Sequence, residues 1–68
     1  MDHVYKSIEL TGTSAVGVEE AIQNAIGKAS KSLHNLRWFE ITNVRGDIQN
    51  GVVSHYQVTM KVGFTLDE

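Results

Sequence analysis

The sequence predicts an α+β fold with the element order β-α-β-β, in which a three-stranded antiparallel sheet wraps around one helix. Apolar residues recur every three to four positions between Ser14 and Leu33, which is typical of an amphipathic helix. They alternate with polar residues over positions 52–66, which is typical of a half-buried strand. Asn50-Gly51 precedes that strand and favours a hairpin, so the last two strands are expected to be antiparallel.

The first two elements follow from the same periodicities. Residues 3–11 alternate, with Ile8 and Leu10 on one face, and they predict the first strand. Ser14 is a plausible N-cap for a helix that runs to about Leu33. Asn35 is then a candidate for the left-handed backbone conformation that often follows a helix.

The second strand is predicted at residues 36–46, and Gly46 to Gly51 are expected to form the turn. Phe39 and Ile41 share the apolar face, whereas Trp38 lies in the polar phase. Val44 is apolar, but strict alternation would place it on the face opposite to Ile41. A β-bulge near Asn43 would bring both residues to the same face. The apolar face of the third strand is expected to cover the helix, so Trp38 is expected to point away from it.

Composition excludes several classes of function. The 68 residues are expected to form a single domain, 1–68, with a net charge of −2, which argues against a nucleic-acid-binding surface. Because the chain has no cysteine, disulfides, thiolate catalysis and cysteine-ligated zinc are ruled out. The three histidines are dispersed without metal-ligand spacing, so no metal site is expected. We see no nucleophile–base pairing and predict that the protein is not an enzyme.

Length and the N-terminal residues bear on assembly and location. A monomer of 68 residues without disulfide or metal buries too little apolar surface for more than marginal stability. Association of copies is the remaining source of stability. The N-terminus lacks the pattern of a signal peptide, and no apolar run is long enough for a membrane span. We therefore expect an oligomeric cytoplasmic protein without a membrane partner.

Trp38 is the residue that most needs an explanation, because it is the only tryptophan and lies in a polar phase. If Arg45 pairs with Asn50 across the turn, Trp38 lies opposite Gln57 and both point outward. An indole beside an amide could stack a heterocycle and bond its polar edge. The simpler interpretation from spacing alone is that the indole fills a subunit interface, where tryptophan is enriched. Arg45 could contact a phosphate or cover an aromatic ring, or it could form an ordinary salt bridge.

Three lysines could form a small cationic region if the first strand lies near the end of the helix. They are Lys6, Lys28 and Lys31. A phosphate could use such a region, although three solvated lysines are the simpler interpretation.

Several short segments, taken together and in order, resemble the bacterial dodecin family over essentially the whole chain. They are Leu10-Thr11-Gly12-Thr13-Ser14, Trp38-Phe39-Glu40, Val44-Arg45-Gly46, Tyr56-Gln57-Val58 and Val62-Gly63-Phe64-Thr65-Leu66. The resemblance implies a hollow homododecamer with cubic symmetry that stores, buffers and shields flavin, either riboflavin or flavin mononucleotide (FMN). Flavins would bind in pairs between symmetry-related copies of Trp38. Gln57 would bond the polar edge of the flavin, and Arg45 would lie near the ring.

The resemblance also implies coenzyme A near the trimer contacts, where Lys6, Lys28 and Lys31 would meet its phosphates. This chain departs from some bacterial relatives at Thr65, where they carry arginine. That departure points toward uncharged flavins. Two other classes of protein remain as alternatives: a small dimeric ferredoxin-like enzyme, and a purely structural oligomeric module in which Trp38 only packs an interface.

Overall fold

A computed structural model describes residues 2–66, so the ends of the expected domain, residues 1, 67 and 68, lie outside the described residues. The elements are β1 (Tyr5–Ser14), α1 (Val18–Ala29), β2 (Leu36–Gln49) and β3 (Val52–Thr65). They form one antiparallel sheet in the order β1-β3-β2. The predicted α+β fold, with the order β-α-β-β, is therefore confirmed.

One face of the sheet packs against α1. Ala21 of the helix and Val58, Met60 and Val62 of β3 form the buried core, because even-numbered residues of the central strand face the helix. Gly12 of β1 lets the helix come close, since a β-carbon there would overlap the backbone oxygen of Ala21. Helix and sheet are thus held at a distance that only glycine permits.

The start of the helix differs from the prediction. Ser14 belongs to β1, where it pairs with Tyr56, and the residue at the N-cap is Gly17. The Ser14 hydroxyl accepts a hydrogen bond from the Val16 N–H at 2.9 Å and donates one to Glu20 at 2.7 Å. The assignment of Ser14 as N-cap was wrong, because the β1–β3 ladder extends three residues further than residue 11 and takes in this serine.

The end of the helix is also earlier than predicted. α1 ends at Ala29, and residues 30–32 form a turn with short-range bonds such as Ser32 N–H to the Ala29 carbonyl at 3.1 Å. Asn35 has the predicted left-handed backbone, with φ of 64°. Its carbonyl accepts a hydrogen bond from the N–H of Thr65 at 3.2 Å. Asn35 therefore directs the chain into the sheet and does not end the helix itself.

The hairpin is longer than its sequence suggests. Asn50 and Gly51 have φ of 54° and 75°, which is the signature of a two-residue type I′ turn. This turn matches the twist of paired strands, so pairing continues up to Gln49 opposite Val52. The expected loop from Gly46 to Gly51 was therefore wrong in length: positions 46–49 belong to β2.

Pairing between β2 and β3 is interrupted at three places. The register shifts between Leu36 and Trp38, between Ile41 and Asn43, and between Asp47 and Ile48. The second shift confirms the bulge predicted near Asn43. The short turn places Trp38 opposite Gly63, since the two shifts between the turn and Trp38 offset each other and the third lies beyond it. The expected pairing of Trp38 with Gln57 was wrong.

The subunit is elongated and exposes much apolar surface. Its radius of gyration is 14.1 Å, against roughly 11 Å for a compact domain of this length. Its accessible surface is 5049 Å², whereas a compact monomer of this mass exposes roughly 4,200 Å². Among residues 2–66, ten large hydrophobic residues are exposed, including Val44, Ile48 and Val53 of the hairpin. Surface of this kind marks contacts with other molecules.

Candidate functional site

The outer face of the sheet carries an aromatic surface centred on Trp38. Trp38 pairs with Gly63 and its neighbour Phe39 pairs with Val62, so alternation directs the indole away from the helix, as predicted. A β-carbon at Gly63 would overlap Cε2, Cζ2 and Nε1 of the indole. The ring therefore lies directly over the glycine backbone. It remains 40% exposed, which leaves a flat surface for another ring.

Tyr5 contacts the edge of this surface from β1. Its ring centroid lies 6.4 Å from that of Trp38, with the planes at 60°, an edge-on arrangement that aromatic pairs favour. The His3 ring lies 6.4 Å from Tyr5 on the other side. Glycine beneath and tyrosine beside the indole limit its rotation. Tyr5 was not predicted as a site residue, although the alternation of the first strand already puts it in the outward phase.

Gln57 and Arg45 form a polar pair on the same outer face of the sheet as Trp38. They lie opposite each other, and the Arg45 Nε donates a hydrogen bond to Gln57 Oε1 at 3.1 Å. The Gln57 amide nitrogen and the terminal nitrogens of Arg45 still offer donors for a ligand. However, Gln57 is six residues from Gly63 on β3, which is about 20 Å along a strand. Within one subunit, Trp38 and Gln57 are therefore far apart.

The three predicted lysines are exposed and lie on different elements. Lys28 lines a groove of about 460 Å³ between β1 and α1, whereas Lys6 and Lys31 do not line it. Lys6 lies on β1 opposite Phe64, and Lys31 lies in the turn after the helix. Asn24 also lines the groove and donates to the Thr13 carbonyl at 3.0 Å. The involvement of these lysines with coenzyme A stays a prediction.

A polar cluster at the third register shift was not anticipated. The Ser54 hydroxyl donates to Asp47 Oδ2 at 2.7 Å and lies 3.2 Å from His55 Nδ1. Gln49 also donates to the same carboxylate oxygen, at 3.2 Å. These residue types could suggest a nucleophilic triad, but there the imidazole stands between hydroxyl and carboxylate, and here the hydroxyl does. The cluster instead links β2 to β3 through hydrogen bonds at the bulge and so stabilises the hairpin.

The charge state of Asp47 follows from this cluster. The hydrogen bond from Ser54 lowers the pKa of Asp47 below its ordinary value of 3.8. Desolvation partly opposes this effect, and the Gln49 hydrogen bond and the nearby His55 lower the pKa further. The cluster therefore favours the ionised carboxylate.

Neither a metal-binding cluster nor a membrane-spanning helix is found in the part of the chain that the structure describes. Among residues 2–66, no group of three or more histidine, aspartate or glutamate side chains could hold a metal ion. Within the same range, no helix has the length and hydropathy needed to cross a bilayer.

Fold and site together define a small α+β protein with an open aromatic stacking surface on the sheet face opposite its helix. The chain matches the dodecin family over residues 4–67. It is 50% identical to dodecin of Thermus thermophilus over 68 residues, covering 100% of this chain and 99% of that protein. The match to a family model and to a close relative over the full length shows that the chain belongs to the dodecin family.

Solved structures agree with this assignment. The structure of dodecin from Streptomyces davaonensis is 53% identical, covers 100% of both chains and superposes with a TM-score of 0.95. Dodecin from Streptomyces coelicolor is 49% identical, with 98% of this chain and 96% of that chain covered and a TM-score of 0.93.

Proposed function

We propose that this protein stores and shields flavin. In this proposal the flavins bind in pairs between Trp38 side chains of two-fold related subunits in a hollow homododecamer. The observation that carries the proposal is the indole held over Gly63, with the ring 40% exposed. A planar ring system can stack on such a surface, and each offset aromatic contact adds about 0.5–1.5 kcal/mol beyond the burial of area.

A two-fold contact suits this surface. Two copies related by a two-fold axis present the same patch to each other, so two indoles can enclose two flavins between them. The exposed apolar residues of the hairpin give the subunits further surface to bury on assembly. The stacking slot and the assembly are thus parts of one proposal, because an indole in a lone subunit covers only one face of a ligand.

The polar contacts come from a different subunit than the indole. Gln57 lies about 20 Å along β3 from Gly63, the residue that Trp38 covers. A flavin that touches both residues therefore takes Trp38 from one copy and Gln57, with its partner Arg45, from another. The Gln57 amide then bonds the polar edge of the isoalloxazine ring, and the Arg45 guanidinium lies beside the ring system.

Storage and shielding, without turnover of a substrate, is the role that this chemistry supports. An electron-rich indole in contact with a flavin is expected to quench its excited state, which protects the cell from a photosensitiser. Ser54 has a carboxylate and an imidazole nearby, but the three groups are not in the order that activates a nucleophile.

Titration of the protein with riboflavin and FMN, followed by flavin fluorescence, tests this proposal. We expect strong quenching on binding, and native mass spectrometry with one flavin per subunit in a dodecamer. Trp38→Ala is expected to abolish tight binding without dissociating the dodecamer, and Trp38→Phe to retain part of it. Gln23→Ala, on an exposed helix position, is the control. Unchanged affinity in Trp38→Ala would contradict stacking, and a monomeric protein would contradict the assembly.

A further inference from the structure

The tip of the β2–β3 hairpin consists of an asparagine followed by a glycine. Asn50 and Gly51 are both exposed, and they are the two central residues of the type I′ turn. A β-carbon at Gly51 would meet nothing within 4 Å, so the space beside this glycine is open. Within residues 2–66 the side-chain amide of Asn50 has no hydrogen-bond partner. The amide is therefore available for chemistry with its neighbour.

An asparagine amide can react with the backbone nitrogen of the next residue. As the Gly51 nitrogen loses its proton to a base, it attacks Cγ of Asn50. The bond from this nitrogen to Cγ forms, the bond from Cγ to Nδ2 breaks, and ammonia leaves, which closes a five-membered succinimide ring. Water then opens the ring at Cγ to give aspartate, or at the main-chain carbonyl carbon to give isoaspartate. One water is consumed and one ammonia is released, so no other reactant is needed.

The residue that follows each asparagine distinguishes position 50 from the others. The three other asparagines of the chain precede residues that have a β-carbon, namely Ala25, Leu36 and Val44. A β-carbon hinders the approach of the backbone nitrogen, and only glycine lacks one. The Asn24 amide is also held by a hydrogen bond to the Thr13 carbonyl at 3.0 Å, and Asn43 lies within the β2–β3 ladder. Asn50 is thus the asparagine with the least hindrance to ring closure.

The closed turn opposes this reaction. The first central residue of a type I′ turn has ψ near about +30°, the mirror image of a type I turn. That angle directs the Gly51 nitrogen away from the Asn50 side chain, whereas ring closure needs both on the same side of the Cα–C bond. The reaction therefore starts from an opened turn. Opening is favoured at this tip, because Ile48 and Val52 beside the turn are 70% and 66% exposed.

We infer that Asn50 is a site of spontaneous deamidation and that opening of the type I′ turn sets its rate. The product adds one negative charge to the tip, and isoaspartate also inserts one extra atom into the main chain. A two-residue turn matches the twist of its strands only at its own length. Isoaspartate therefore disturbs the pairing of Gln49 with Val52 and weakens the hairpin that carries Arg45 and Gln57.

Incubation of the purified protein in warm, mildly alkaline buffer, followed by peptide mapping, tests this inference. Conversion raises the mass of the peptide by one dalton, because an NH2 group is replaced by OH, and electron-transfer fragmentation distinguishes isoaspartate from aspartate. We expect Asn50 to convert about tenfold faster than the other three asparagines, because only Asn50 precedes a residue without a β-carbon. No conversion at Asn50, or equal conversion at all four asparagines, would overturn the inference.

Two variants locate the reaction. Asn50→Gly is expected to abolish the gain in mass at the tip and to preserve the turn, since Gly-Gly also forms type I′ turns. Asn24→Gln, at an exposed position of the helix, is the matched control and is expected to convert at position 50 like the wild-type protein. A gain in mass that persists in Asn50→Gly at the wild-type rate would overturn the inference.

The role of the turn is tested by unfolding the chain in guanidinium chloride. Conversion of Asn50 is expected to be several-fold faster in the unfolded chain, because the turn no longer holds the Gly51 nitrogen away from the amide. Equal rates in the folded protein and the unfolded chain would show that the turn does not set the rate, and would overturn that part of the inference.

The variant Asn50→Asp separates the added charge from the altered main chain. Asp-Gly also forms type I′ turns, so this variant is expected to unfold thermally close to the wild-type protein. Protein enriched in isoaspartate at position 50 is expected to unfold several degrees lower, because its hairpin is disturbed. If this protein and Asn50→Asp unfold at the same temperature, isoaspartate does not weaken the hairpin and that consequence is overturned.

Discussion

The indole of Trp38 occupies the space above Gly63 that a side chain at position 63 would fill. An aromatic ring that covers a glycine on the neighbouring strand shields the exposed backbone and packs against it. The pair also explains why the only tryptophan lies on the polar side of the sheet. Its place is defined from below by the glycine and from the side by Tyr5.

Gly63→Ala is expected to weaken flavin binding about tenfold, or by about 1.4 kcal/mol. The added methyl group collides with the indole and moves it out of the stacking position. Flavin titration and the near-ultraviolet circular dichroism of Trp38 measure the effect. Gly17→Ala is the control, because a β-carbon there meets nothing within 4 Å. Equal affinities of the two variants would show that Gly63 does not position the ring.

Tyr5→Ala is expected to weaken flavin binding about 2- to 10-fold, because an edge-on aromatic contact contributes about 0.5–1.5 kcal/mol. Tyr5→Phe preserves the ring and is expected to bind like the wild-type protein. Fluorescence titration of both variants separates packing from hydrogen bonding. If Tyr5→Phe binds as weakly as Tyr5→Ala, the hydroxyl group, and not the ring, is what the site needs.

Gly12→Ala is expected to destabilise the protein by about 1–3 kcal/mol, as overpacking of a core does. The new methyl group would overlap the Ala21 carbonyl oxygen and lie 2.9 Å from the Ala25 β-carbon. Gly27→Ala, within the helix and with open space around it, is expected to stabilise by up to about 1 kcal/mol. Urea denaturation at one fixed protein concentration compares them. A Gly12→Ala protein as stable as Gly27→Ala would contradict the close approach.

Acid is expected to weaken the hairpin through Asp47. Its pKa is below the ordinary 3.8 because the folded protein favours the carboxylate, chiefly through the Ser54 hydroxyl. The stabilisation by Asp47 is therefore complete at a pH above the pKa that this carboxyl group has in the unfolded protein. It is lost as the pH falls through the lower pKa of the folded protein. Thermal unfolding between about pH 6 and about pH 2 measures it.

Asp47→Asn and Ser54→Ala are expected to show a shallower loss of stability than the wild-type protein over this acidic range. Asp2→Asn, which changes an exposed carboxylate outside the sheet, is the control. Identical pH profiles for Asp47→Asn and the wild-type protein would exclude a role for this carboxylate.

The order of elements and the faces of the strands follow from local patterns in the amino-acid sequence. The helical spacing of apolar residues and the alternation in β3 predict both elements, and the slip between Ile41 and Val44 predicts a bulge. The outward direction of Trp38 was also predictable, although the residue opposite it was not. Gly63 is six positions from Gln57, and because strand faces repeat every two residues, an even shift leaves the face unchanged.

The register of the strands, and with it the composition of the site, depends on long-range pairing that local patterns do not specify. Register depends on the length of the turn and on every bulge between the turn and the residue in question. The turn is shorter than the sequence suggests, and the two bulges between it and Trp38 offset each other. Long-range pairing also explains why Ser14 belongs to β1 and is not the N-cap of the helix. Its partner in the ladder, Tyr56, is distant in sequence. Local patterns specify which side a residue faces, but long-range pairing specifies which residue it meets.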